Sequence, residues 1–212
     1  MNAVRNREGA VVSNGESQDD IGRSESGVHQ ELVGFVWSVA DLLRGDYKQS
    51  EYGRVILPLV VLRRLDCVVA PTKEAVLAKD KELGDQFADP GPLLRKAAGG
   101  LSFYNTSPLD LPRLLADPDN LAANLRGYIN AFSPGAVDVL DKYGFDAQIS
   151  RLEEAGLLYP VLAKFAGLDL HPDRVSNLAM GYLFEELIRR FSEISNETAG
   201  EHFTPREVIR LM

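Results

Sequence analysis

Cysteine is almost absent. Cys67 stands alone among 212 residues, so no internal disulfide can staple the fold, and a reducing, cytoplasmic setting is expected. The thiol lies in the run Leu65-Asp66-Cys67-Val68-Val69, with no His or Lys beside it to lower its pKa, and reads as a packing group rather than a nucleophile. Histidine is scarce too. His29, His171 and His202 are far apart, without metal-ligand spacing, and no metal site is expected. No apolar run reaches the length of a membrane span: the most apolar stretch, Val55 to Leu62, is halted by Arg63 and Arg64. The N-terminus lacks the apolar centre of a signal peptide. Basic residues are outnumbered, 23 Lys and Arg against 31 Asp and Glu, for a net charge of −8. A free-standing, non-specific nucleic-acid binder carries the opposite balance, because it must neutralise phosphates and release counterions. DNA contact through a local basic patch or a neighbouring subunit remains compatible with that charge.

What is present suits a helical globular chain, with 45% hydrophobic and 25% charged residues. Residues 1–28 hold few large apolar side chains and are expected to form a flexible tail, since little buried surface offsets the ordering entropy. From Gln30 the spacing becomes helical: Leu32, Phe35, Val36, Val39, Leu42 and Leu43 share one face, with Trp37 on it or at its edge, and Gly45 follows as a stop. Asp46 with Gln49, or Ser50, can cap a second helix through Arg54 to Cys67. That helix is apolar nearly all round and so is expected at the centre, with Pro58 kinking it or shifting its start. Its β-branched run also admits a buried strand, but the length and the Arg-Arg-Leu-Asp continuation favour helix.

Shorter helices are expected from Pro71 to Gly84, from Asp89 to Ala98 with Gly99 and Gly100 as the stop, after Asp110 and Asp117, over 120–132, over 145–155 and over 157–165. A last helix is expected from Pro172-Asp173 to Glu193, with Val175, Leu178, Ala179, Tyr182, Leu183, Leu187, Phe191 and Ile194 as its apolar stripe. No hairpin signals and no internal repeat are found, so the fold class is all-α.

The most distinctive string is Gly200-Glu201-His202-Phe203-Thr204-Pro205-Arg206-Glu207-Val208. Thr204 reads as an N-cap with Glu207 completing a capping box, and Pro205 takes the first helical position. Phe203 can staple against Val208. A helix terminus of this kind offers unpaired amides and positive potential to a carboxylate.

This string resembles the aromatic-Thr-Pro-Arg segment that opens the catalytic domain of the modification (methyltransferase) subunits of type I restriction-modification systems. Met180 to Phe191 resembles the helix before that segment. Phe35 to Gly45 and Ile56 to Asp66 resemble the family's N-terminal helical domain, so the likeness spans the chain from about residue 30 to its end. The resemblance implies an all-α irregular bundle over 29–195, with 196–212 as the first segment of an α/β methyltransferase domain that is otherwise absent. It implies that Glu201, His202, Phe203, Thr204, Pro205 and Arg206 belong to a stretch contacting S-adenosylmethionine. It further implies partnership with a specificity subunit, a restriction subunit and double-stranded DNA, and transfer of methyl to adenine N6.

Amino-methyltransferases of this kind also need a glycine-rich cofactor turn after a strand and an Asn-Pro-Pro-aromatic loop around the flipped base. No Asn-Pro-Pro occurs here, so the chain by itself is expected neither to methylate nor to bind S-adenosylmethionine measurably. Arg63, Arg64, Arg189 and Arg190, with Arg44, Lys48 and Arg54, are candidates to flank a DNA channel; for each arginine the other reading is an ion pair with neighbours such as Asp66, Glu185 or Glu186. The rival reading of the whole chain is a non-catalytic helical adaptor that binds protein alone.

Overall fold

The computed structural model describes residues 17–84 and 87–194, and among these residues the secondary structure is helical, joined by turns and two isolated bridges, with no strand. Helix α1 spans Ser17–Leu43. It begins inside the stretch expected to be a tail. Propagation explains this: once Leu32, Val36, Val39 and Leu43 are buried, each further residue adds a backbone bond without a new nucleation cost. Gly45, at φ 104°, turns the chain into a 3₁₀ turn at Gln49–Glu51.

Helix α2, Tyr52–Val69, is the buried centre, with Val55, Ile56, Leu59, Val60 and Leu62 each at most 1% exposed. The strand alternative for this run is not adopted. Pro58, the seventh residue of α2, lies inside the helix without ending it; its ring removes the bond an amide there would give the Arg54 carbonyl, and the burial of α2 on nearly every side offsets that cost.

Helix α3, Lys73–Leu83, stops at Gly84, and α4, Gly91–Ala97, is followed by Gly99 and Gly100 at positive φ. The two helices form a small second core of Val76, Leu83, Leu94, Ala98 and Tyr104. Helix α5, Leu111–Leu114, is capped by Asp110, whose Oδ1 accepts from the Arg113 amide at 2.8 Å. Asp117, expected as a cap, instead accepts from the Asn120 and Asn124 side chains. Helices α6, Leu121–Asn130, α8, Phe145–Glu154, and α9, Leu158–Ala166, fall where the spacing placed them. Helix α7, Pro134–Lys142, was not anticipated. Its signal was short: Ser133-Pro134 as a start, then only Ala136 and Leu140 as buried apolar positions.

The last helix, α10, covers Asn177–Ile194 and starts later than Pro172-Asp173. Residues 171–175 form turns closed by the Arg174 and Val175 amides on the His171 carbonyl. Ser176 then caps the helix, its Oγ accepting from the Ala179 amide at 3.1 Å. The buried face is Met180, Leu183, Leu187 and Phe191, whereas Leu178 and Tyr182 of the expected stripe are 58% and 39% exposed. The face is rotated because α10 packs against α1 and α2 together, and Met180, 6% exposed, rather than Leu178 falls on the buried side.

Arginine also holds the far side of the bundle. Arg151 of α8 forms a bidentate pair with Glu51 at 2.9 and 3.2 Å, donates to the Asp46 carbonyl and stacks 3.9 Å from the centre of the Tyr47 ring.

Candidate functional site

The expected cofactor stretch, Glu201, His202, Phe203, Thr204, Pro205 and Arg206, lies outside the described residues, as does the whole of 196–212. The four arginines proposed as DNA contacts are described, and they fall into two groups.

Arg63 and Arg64 are neighbours on α2, yet their donors point along the connection from α9 to α10. Arg63 Nε donates to the Leu168 carbonyl at 2.5 Å, and its Nη1 pairs with Asp66 at 2.5 Å. Arg64 Nη1 donates to the carbonyls of Leu170 and Val175 at 2.5 and 2.8 Å, and its Nη2 donates to Asn177 Oδ1 at 2.7 Å. Leu170 and Val175 are buried at 0% and 1% exposure, so their carbonyls need internal donors. A planar guanidinium serves several fixed acceptors at once, which an ammonium cannot. Burial lowers the pKa of Arg64 from its ordinary value, but a guanidinium stays charged throughout the working range.

Arg189 and Arg190 lie on α10. Arg189 bonds Glu186 and Glu193, the latter at 2.5 Å, and Arg190 bonds Glu186. Hydrogen bonds from Arg190 and Arg189 hold the Glu186 carboxyl below its usual range. Arg190 also approaches the Trp37 ring, 5.9 Å from its centre. The structure thus brings each pair of arginines together and gives their donors partners within the chain: buried carbonyls and Asp66 for Arg63 and Arg64, and carboxylates on the surface of the same helix for Arg189 and Arg190. Of the other basic candidates, Arg44 pairs with Asp41. Lys48 and Arg54 are exposed, and no ion pair involves either among the described residues.

Beside Arg63 opens a cleft of about 590 Å³, lined in part by Asp66, Cys67, Lys73, Asp110, Arg113 and His171. Asp66, 3% exposed, accepts from Arg63 and from the Tyr128 hydroxyl at 2.5 Å. Lys73, 7% exposed, donates to the Leu109 carbonyl and lies 5.1 Å from the centre of the Tyr128 ring. Burial raises the Tyr128 pKa well above its ordinary value, and the Asp66 charge adds to that. Tyr128 therefore keeps its proton and donates a hydrogen bond to Asp66. Burial lowers the Lys73 pKa and raises that of Cys67, so Cys67 is a neutral, weakly nucleophilic thiol.

This cluster satisfies buried charge; it does not pair a nucleophile with a base. Sequence reasoning had found Asp66 as a partner for arginine but missed Lys73 and Tyr128. Tyr128 is 62 positions from Asp66, and no local spacing signals that contact. Among the described residues no group of His, Cys, Asp and Glu could hold a metal ion, and no helix is long and apolar enough to cross a membrane.

Comparison with known families places this geometry. A family model described as the HsdM N-terminal domain matches residues 32–165, from the buried part of α1 to the end of α9. Searches of curated proteins and of solved structures returned no match. The matched stretch covers more than half of the 212 residues and contains α2 with Arg63, Arg64 and Asp66, together with the Tyr128 that closes the buried network. This chain belongs to the HsdM N-terminal domain family, the helical N-terminal domains of type I restriction-modification methyltransferase subunits.

Proposed function

We propose that this helical domain is the non-catalytic part of an S-adenosylmethionine-dependent DNA adenine-N6 methyltransferase subunit, where it docks the specificity subunit and helps to hold duplex DNA in a complex that also includes the restriction subunit. The family match over 32–165 carries the reading. Supporting it, α10 runs to Ile194, a few residues before the string that resembles the opening of the catalytic domain, so in sequence order the bundle leads into the stretch that would open the cofactor cleft. In that cleft S-adenosylmethionine would supply the methyl group, and the stretch Glu201 to Arg206 would form one edge.

Of the two tasks, docking protein has the stronger support. The net charge is −8, and Arg63, Arg64, Arg189 and Arg190 already have internal partners. Of the basic candidates named from the sequence, Lys48 and Arg54, exposed and without an ion pair around the start of α2, are then the ones free to meet phosphate.

The test is assembly. The methyltransferase subunit carrying this domain is combined with the specificity subunit, and duplex binding by gel shift and methyl incorporation into adenine are measured. Deletion of residues 30–194 is expected to abolish both specificity-subunit binding and methylation. Joint reversal of Lys48 and Arg54 to Glu is expected to weaken duplex binding and flatten its salt dependence, while subunit assembly stays intact. A deleted form that still assembles and methylates would exclude the scaffold role. Unchanged duplex affinity in the reversal variant would leave the domain a protein adaptor.

A further inference from the structure

We infer that Arg64 is the register pin of α10: it selects which turn of that helix lies in the seam between α1 and α2. The reason begins in the sequence. Ala179, Leu183, Leu187 and Phe191 recur every four residues, and the last three are buried against α1 and α2. Apolar contact is strong but non-directional. Sliding α10 by four residues brings Leu183 to the place of Leu187 and Leu187 to the place of Phe191, exchanging apolar groups for apolar groups. Such a slip moves the helix by about 6 Å along its axis, and one-turn shifts between packed helices are a known way for proteins to switch. The small Gly53 makes room for the Phe191 ring, with ring atoms 3.2 and 3.3 Å from where a Cβ would stand, but room alone does not choose a register.

Directional bonds do choose one. Arg64 addresses Leu170, Val175 and Asn177, on both sides of the turn at 171–174 and on the first residue of α10. Arg63 adds Leu168. A slip of α10 would carry Asn177 and the adjoining Val175 carbonyl away from Arg64, while the bonds to Leu168 and Leu170 hold the preceding connection in place. A buried polar group can fix registry as well as add stability, as a single buried Asn does in a coiled coil. The placement also has meaning along the chain. The family match ends at Phe165, so the two arginines belong to the matched domain, while the acceptors of Arg64 and the Leu168 carbonyl that Arg63 reaches lie beyond it. Arg64 thus joins the domain to the helix that follows it and sets where that helix ends.

Paired nitroxide labels test this in the 212-residue chain. In a Cys67→Ala background, cysteines are introduced at the exposed positions Ala147, Lys81 and Ile188, and the distances 147–188 and 81–188 are measured by electron-electron resonance. The parent is expected to show one narrow distribution for each pair. Arg64→Ala is expected to add a second population, displaced by several Å in at least one pair, while circular dichroism shows unchanged helix content. Arg64→Lys is expected to keep that second population, because a point charge cannot serve three fixed acceptors. The control Leu183→Ala removes apolar contact and keeps the pin, so it is expected to lower Tm with one distribution retained. A single native distance in Arg64→Ala overturns the inference, and so does a second population of equal size in Leu183→Ala. If Arg64→Ala fails to fold, Asn177→Ala decides: a minor second population supports the pin, and a single native distance overturns it.

Discussion

Gly53 of α2 lies directly under the Phe191 ring of α10: a Cβ at position 53 would stand 3.2 Å from Phe191 Cδ2. The two helices approach this closely because one of them has no side chain at the crossing. Gly53→Ala brings two opposed effects, a gain of about 1 kcal/mol in helix propensity and a cost for displacing the ring by a few tenths of an ångström. The expected result is a Tm near that of the parent. Gly53→Val adds two methyl groups in the same space and is expected to lose about 2 kcal/mol, read as a lower urea midpoint with unchanged slope.

The Asp66–Tyr128 bond, with Arg63 on the other carboxylate oxygen, sets a second expectation. Tyr128→Phe removes one donor and leaves the ion pair, at a cost of about 1–3 kcal/mol. Asp66→Ala leaves Arg63 and Lys73 without their buried counter-charge and is expected to cost more, about 3–5 kcal/mol. Urea unfolding of both variants checks the order. The pH dependence follows from the raised Tyr128 pKa. In the unfolded chain the phenol ionises near its ordinary value of 10.0, so this contribution is complete below about pH 10 and is lost as pH rises from there toward the folded value.

Glu51 acts at the opposite end of the pH scale. The hydrogen bonds from Arg151 hold its carboxyl down at about 2, against an ordinary value of 4.5. A depressed carboxyl stabilises the fold above pH 4.5 and loses that contribution as pH falls from 4.5 to about 2. The pair is partly open to solvent, so its worth is about 1 kcal/mol or less. Glu51→Gln is expected to flatten the acid limb of the stability profile in that interval and to leave neutral-pH stability lower by a similar small amount. An unchanged acid limb would show that Arg151 does not hold Glu51 in solution.

The four arginines should separate on thermal unfolding. Arg64→Ala leaves the buried Leu170 and Val175 carbonyls without their donor and is expected to cost about 3 kcal/mol. Arg189→Ala removes only solvent-screened pairs within one helix and is expected to cost about 0.5 kcal/mol. Equal losses would mean that the 168–177 connection is not held by Arg64.

Cys67 supplies a simple probe of integrity. It is 7% exposed, and burial raises its pKa, so alkylation by iodoacetamide at neutral pH is expected to run at least tenfold slower than for the urea-unfolded chain. Fast alkylation of the folded protein would place the thiol at an open surface.

Helix identity was legible wherever one segment carried enough apolar residues to commit itself. Alpha1 from Leu32 onward, α2, α6, α8 and α9 follow from three- and four-residue spacing, because a helix must bury one face and its sequence records which one. Alpha7 escaped because two buried positions, Ala136 and Leu140, are too few to stand out from a loop. The family likeness was legible from residues 35–45 and 56–66, both of which overlap the matched stretch.

The sequence by itself therefore determined that this is an all-helical chain with α2 at its centre and a thiol that packs rather than reacts. Those properties depend on local periodicity and on residue types that carry their chemistry with them. Only the tertiary structure decided what the arginines face. From the sequence Arg63 and Arg64 read as DNA contacts or as partners of a neighbour such as Asp66; the carbonyls they also hold lie more than a hundred positions away. It also decided which side of α10 is buried, since Leu178 and Met180 are both apolar and the packing of α10 against α1 and α2 leaves Leu178 58% exposed and buries Met180.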